Sequence, residues 1–127
     1  MQRAIDQPEM TQSLRLAVAT KDGIAISEHF GHAKRFRIYD VSVGRCQFVE
    51  QRHVDHYCLG GHSDKNALAN ILNTISDCHA VFVAKIGDGP TEKLRAKGIE
   101  AVAEYAWEEI LSSLLEYVSH RESDLMS

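Results

Sequence analysis

Two short stretches of this chain hold most of its soft metal-ligating side chains. The first is Glu28-His29-Phe30-Gly31-His32, with Lys34, Arg35 and Arg37 close behind. The second runs from His53 to His62 and holds His53, His56, Cys58 and His62 around the pair Gly60-Gly61. Five of the seven histidines lie in these two stretches, more imidazole than turns or a core require. Neutral imidazole and thiolate are the donors that iron and zinc take up. An iron–sulfur cluster carries net negative charge, so Lys34 and Arg35 beside such donors add attraction. The turn Gly87-Asp88-Gly89 precedes a predicted helix, and its backbone N–H groups, starting at Gly87, are further donors for an anion.

Each residue also has a plainer reading. A histidine in a polar loop is commonly solvated, and His32 in particular suits a solvent-facing role. Phe30 suits a packing anchor and Gly31 a turn requirement. Cys58 is either an inert thiol or a ligand, its polar, Gly-flanked setting favouring an accessible thiol. Cys46 in a strand and Cys78 at a helix end read as small buried hydrophobes. His53 and His79 read as structural, His120 as a surface residue. A closed zinc site would want a C-x₂₋₄-C pair, which the sequence lacks. A nucleophilic pair of Cys58 with His56 or His29 has no evident orienting carboxylate or oxyanion motif.

The elements that must position these groups follow from pattern. Leu14 to Thr20 alternates and then turns apolar, which predicts a strand closed by Lys21-Asp22-Gly23. Ile24 to Lys34 has no clean period and reads as a loop or short irregular element. Phe36–Val41 and Cys46–Glu50 predict a hairpin around Ser42-Val43-Gly44-Arg45. A polar loop follows from Arg52 to His62, then a helix N-capped by Ser63 and running to about Asp77, with Leu68, Ile71, Leu72 and Ile75 on one stripe. If the two histidine-bearing loops connect at one sheet edge, they flank the hairpin from the same end. The apolar run Ala80–Ala84 predicts a central strand. Pro90 opens a helix to about Lys97, stopped by Gly98. Ile99–Ala103 predicts a last strand, and Trp107, Ile110, Leu111, Leu114, Leu115 and Val118 fall at helical spacing. The order strand, strand, strand, helix, strand, helix, strand, helix predicts an α/β fold with a mixed sheet covered by helices. We divide the chain into a lead-in or linker at 1–13, a domain at 14–120 and a tail at 121–127.

Composition narrows the function. A chain of 127 residues with 44% apolar and 25% charged residues fits one globular domain. A net charge of −4 with no basic block argues against nucleic acid, and no apolar run suits a membrane span. The polar N-terminus lacks a signal-peptide core, so the expected location is the cytoplasm. The three cysteines form no evident disulfide framework there.

The run Glu28-His29-Phe30-Gly31-His32-Ala33-Lys34-Arg35-Phe36, continuing into Ile38-Tyr39-Asp40, resembles the signature of the dinitrogenase iron–molybdenum cofactor-binding family. That family includes the NifX and NafY carriers and the C-terminal domain of NifB. Four further stretches match in order: Tyr57-Cys58-x-Gly60-Gly61, Asp77-Cys78-His79-Ala80-Val81, Ala84-Lys85-Ile86-Gly87 and Lys97-Gly98-Ile99-Glu100. The second and third of these five look most like the NifB C-terminal domain, and the resemblance spans about residues 14–118.

The resemblance implies a ribonuclease H-like three-layer α/β/α fold with a mixed five-stranded sheet. It implies a non-catalytic carrier in nitrogenase cofactor biosynthesis whose cargo is an Fe–S metallocluster, the NifB cofactor or the iron–molybdenum cofactor. His29 is carried over as the cofactor-contacting imidazole, with Cys58 as thiolate partner; these two are the expected metal ligands. His32, His56, Lys34, Arg35 and Gly87 complete the expected cofactor-binding set. NifB relatives often carry a cysteine in the loop occupied here by Gly87-Asp88-Gly89-Pro90, so a ligand from that loop is missing. The radical-SAM motif C-x₃-C-x₂-C is also absent, so the chain is read as a free-standing relative or one domain of a larger NifB-type chain. Nitrogenase assembly proteins are the expected partners. The alternative is a protein-interaction domain that docks such a partner without binding a cluster. Nuclease chemistry, which such a fold can host, needs converging carboxylates, and Leu14–Thr20 has none.

Overall fold

A computed structural model describes residues 13–54 and 64–126. In chain order they form β1 (Leu14–Ala19), a 3-10 turn (Phe30–His32), β2 (Arg35–Ser42), β3 (Arg45–His53), α1 (Asp64–Thr74), β4 (Ala80–Phe82), α2 (Asp88–Ala96), β5 (Glu100–Val102) and α3 (Ile110–Met126). The strands make a five-stranded sheet in the order β3-β2-β1-β4-β5. β2 is antiparallel to both β1 and β3, whereas β4 runs parallel to β1 and β5 parallel to β4. The α/β class with a mixed five-stranded sheet is therefore as expected.

β1 lies at the sheet centre because both of its faces are apolar. Ala17 and Ala19 join Phe36, Ile38, Val81 and Val83 on one face, under Ile71 and Leu72 of α1, Ile75 just after it and Leu94 of α2. Leu16 and Val18 join Tyr39, Val41, Phe82 and Val102 on the other, under Ile110, Leu114, Tyr117 and Val118 of α3. Each of the larger apolar side chains, buried fully, contributes about 1.5–3 kcal/mol, so two thin cores hold the three layers together.

The hairpin closes through Val43-Gly44, where Gly44 takes φ 75°. Opposite Ile38 and Tyr39 the register skips Val49, a bulge that twists the edge strand. The strand β3 runs to His53, past the expected Glu50, so His53 belongs to a strand and not to the loop.

Helix limits shift in three places. α2 starts at Asp88, two residues ahead of Pro90, because Gly87 serves as N-cap. α1 ends at Thr74, where the Arg52 guanidinium donates to the Thr74 carbonyl at 2.8 Å and closes the helix end. Trp107 is not part of α3; it takes φ 69°, three residues before the helix begins. The Ser63 cap and the lead-in up to Gln12 lie outside the described residues. No helix among the described residues is long and apolar enough to cross a membrane.

Candidate functional site

β1 and β4 are parallel neighbours whose connections leave in opposite directions, β1 towards β2 and β4 through α2 towards β5. Ligands of open α/β sheets gather outside the carboxyl ends of strands at such a point. Here the gap is crossed by the segment after β1. Its turn is built by Thr20 and Asp22: Thr20 Oγ1 accepts from the Gly23 amide at 2.9 Å, and Asp22 Oδ1 from Ile24 and Ala25 at 2.9 and 3.1 Å. Those backbone donors hold the Asp22 carboxyl below the usual carboxylate range.

From this turn the chain runs back over the sheet end. Ile26 donates to the Glu108 carbonyl, Glu28 to Ala19, and the Glu28 carbonyl accepts from Ala84 at 2.9 Å. Phe30 donates to the Lys85 carbonyl at 2.9 Å, and its ring is buried at 2% exposure. His29 is thus pinned from both sides, paired with Lys85 and directly over the ends of β1 and β4.

The His29 imidazole is half-buried and stacks on the exposed His32, with centroids 5.4 Å apart and planes 16° apart. Thr20, Lys21, Glu28, Lys34 and Arg35 line an adjoining cavity of about 250 Å³. Three of those five groups are cationic. Gly87 caps α2 through its backbone alone, with no side-chain cap for the amides of the first turn; the Asp88 carboxylate in that turn works against an anion there. Arg37 is turned away, since its guanidinium donates to the Tyr39 hydroxyl at 2.9 Å and covers the Phe48 ring at 4.2 Å.

The second loop leaves from the same end. Arg35 pairs with His53, and Val54 donates to the Lys34 carbonyl at 2.9 Å. The candidates His56, Cys58 and His62 and the pair Gly60-Gly61 lie outside the described residues. Among the described residues no three His, Cys, Asp or Glu side chains converge on one metal position. Of the expected set, His29 thus stacks on His32, Lys34 and Arg35 line the cavity beside Glu28, and Gly87 lies two residues beyond Lys85, the backbone partner of His29.

The remaining thiols and imidazoles lie elsewhere. Cys78 is buried, and burial pushes its thiol up to about 12. Cys46 is half-buried, and burial raises its thiol as well. His79 sits at the opposite end of β4, donating its amide to the Arg15 carbonyl, with burial lowering its imidazole pKa. His120 is exposed beside Glu116. Sequence reasoning passed over Thr20, Lys21 and Lys85; the signal available for Lys85 was a lone charge directly after the apolar β4 run. A second cavity of about 380 Å³, between α2 and the free edge of β5, holds neither histidine nor cysteine.

Residues 12–120 match the family model described as dinitrogenase iron-molybdenum cofactor. The chain is 45% identical over 122 residues to the FeMo cofactor biosynthesis protein NifB of Herbaspirillum seropedicae, covering 91% of this chain and 23% of that protein. It is 47% identical over 100 residues to NifB of Bradyrhizobium diazoefficiens, covering 79% of this chain and 20% of that protein. The chain thus spans about a fifth of the length of these relatives. Among solved structures, the crystal structure of PH0822 has the same fold, with TM-score 0.64 at 21% identity over 84% of this chain and 92% of that one. A family match over nearly the whole described domain, joined to a His-Phe-Gly-His turn seated at the sheet's switch point, means that this chain belongs to the dinitrogenase iron-molybdenum cofactor family, with NifB proteins among its relatives.

Proposed function

We propose that this domain carries an anionic Fe–S metallocluster, the NifB cofactor or the iron–molybdenum cofactor, during nitrogenase cofactor biosynthesis in the cytoplasm. The observation that carries the reading is the His29 turn, clamped by backbone bonds to Ala19, Ala84 and Lys85 over the carboxyl ends of β1 and β4. An imidazole held there lies one residue from Glu28, which lines a cavity with Lys34 and Arg35, and its backbone partner Lys85 lies two residues before Gly87, the N-cap of α2. Cys58 supplies the thiolate: four residues beyond Val54, it reaches about 14 Å at most from a strand end that already lies on this edge. Few ligands on an open rim suit cargo that must be released, so the domain is read as a binding module and not a catalyst. The strand order, an antiparallel hairpin beside three parallel strands, supports a ribonuclease H-like arrangement.

The test is anaerobic. The apo protein is mixed with isolated NifB-type cofactor, and co-elution and the cluster's absorption are followed. Wild-type protein elutes brown. A His29→Ala, Cys58→Ala double variant that retains the cluster like wild type would falsify the assignment.

One observation favours a second reading, docking of an assembly partner. Ile24 and Trp107 are 64% and 61% exposed, with Leu111 at 48%, beside the bonds that join Ile24 and Ile26 to Ile110 and Trp107. Exposed tryptophan is a common anchor of protein interfaces. A docking domain isolated from a cofactor-producing host stays colourless and pulls down its partner.

A further inference from the structure

Gly31 lies exposed in the middle of the 3-10 turn, between the stacked imidazoles of His29 and His32. Three other glycines have a backbone reason for being glycine: Gly23, Gly44 and Gly98 take φ of 78°, 75° and 79°. Gly31 has none. Its φ lies outside the left-handed region, and a Cβ built on it meets nothing within 4 Å. A glycine at such a position gives freedom to the unfolded chain and adds nothing to the folded one, so alanine would be the more stable choice.

The amides around it are all engaged. His29 donates to Glu28 Oε1 at 3.1 Å, Phe30 to Lys85 at 2.9 Å, His32 to His29 at 3.1 Å and Ala33 to Phe30 at 3.3 Å. The Gly31 N–H meets no acceptor among the described residues.

We propose that Gly31 determines specificity at this site: its bare amide donates to a sulfide of the bound cluster, and its missing side chain lets the cluster face settle against the turn, beside the stacked imidazoles. The inference rests on the carrier reading above and adds a residue to it. Backbone hydrogen bonds to cluster sulfurs also set the reduction potential, so this donor favours the more negative, reduced cargo.

The experiment compares the wild-type chain with Gly31→Ala, Gly31→Val, Gly98→Ala and His29→Ala, using melting temperature and anaerobic titration with isolated NifB-type cofactor. Gly31→Ala is expected to melt at or above the wild-type temperature and to bind the cofactor at least tenfold more weakly, with Gly31→Val weaker still. Gly98→Ala is expected to melt lower with affinity unchanged. Wild-type affinity in both Gly31 variants, alongside loss in His29→Ala, overturns the role of Gly31 and leaves the carrier site standing. Wild-type affinity in all of them overturns both. A drop of several degrees in Gly31→Ala overturns the inference as well, because the glycine would then be structural.

Discussion

The Phe30 amide donates to the Lys85 carbonyl across 2.9 Å, tying the turn that carries His29 to the segment leaving β4. The Phe30 ring completes the anchor, packing in the core that covers β1 with its centroid 6.5 Å from that of Phe36. Position of the imidazole thus depends on a neighbour that never reaches the surface.

Phe30→Ala should therefore do two things. Emptying this buried site costs about 3–5 kcal/mol, a fall in melting temperature on the order of 10 °C. Measured well below the variant's own melting point, cofactor retention should also fall, because the turn loses its anchor. Phe30→Leu should recover most of both. Full retention by a folded Phe30→Ala protein would show that the anchor does not position His29.

Thiol reactivity offers a second check. Burial foremost, and then the neighbouring Asp77 carboxylate, push the Cys78 thiol up to about 12, so at pH 8 its thiolate fraction is about one part in ten thousand. Iodoacetamide should leave Cys78 unlabelled in the native protein and label it after denaturation. Peptide mass spectrometry reads this directly. On the carrier proposal Cys58 labels first, and bound cofactor protects it.

A third prediction concerns the end of the sheet away from the site. The Tyr117 hydroxyl donates to the Glu100 carboxylate, with Arg121 facing both. Tyr117→Phe should cost about 1 kcal/mol, less than is usual for a bond to a charged acceptor, because the half-exposed Glu100 can take water instead. Chemical denaturation reads the loss, and cofactor binding should not change.

The fold was legible because its signals are local and apolar: β1 is apolar on both faces, and the stripe of Ile71, Leu72 and Ile75 faces one core. Trp107 was misassigned because its spacing fits the α3 stripe, whereas a left-handed φ placed it outside the helix. The site was half legible. His29 and His32 announced themselves by residue type, but Lys85 contributes through its carbonyl, which any residue offers, and only strand order brings it to His29. Gly31 looked like a turn requirement until its φ and open surroundings were known.

Acid stability should follow the Asp77 cluster. The Arg52 guanidinium, above all, and then Arg15 hold the Asp77 carboxyl well below the usual carboxylate range, burial opposing them in part. Arg52 contacts it at 2.6 and 3.0 Å and Arg15 at 3.2 Å. A folded-state pKa depressed in this way contributes stability that is fully present above the unfolded value near 4 and is lost as pH falls towards the folded value. Because the Asp77 side chain is 46% exposed, solvent screening keeps the contribution to about 1 kcal/mol. Urea midpoints should hold steady from pH 7 to about 5 and then decline towards pH 3. Asp77→Asn should lower the midpoint at pH 7 and flatten that decline, and high salt should shrink the difference between the two proteins. An Asp77→Asn protein that loses stability with acid as steeply as wild type would assign the decline to other carboxylates.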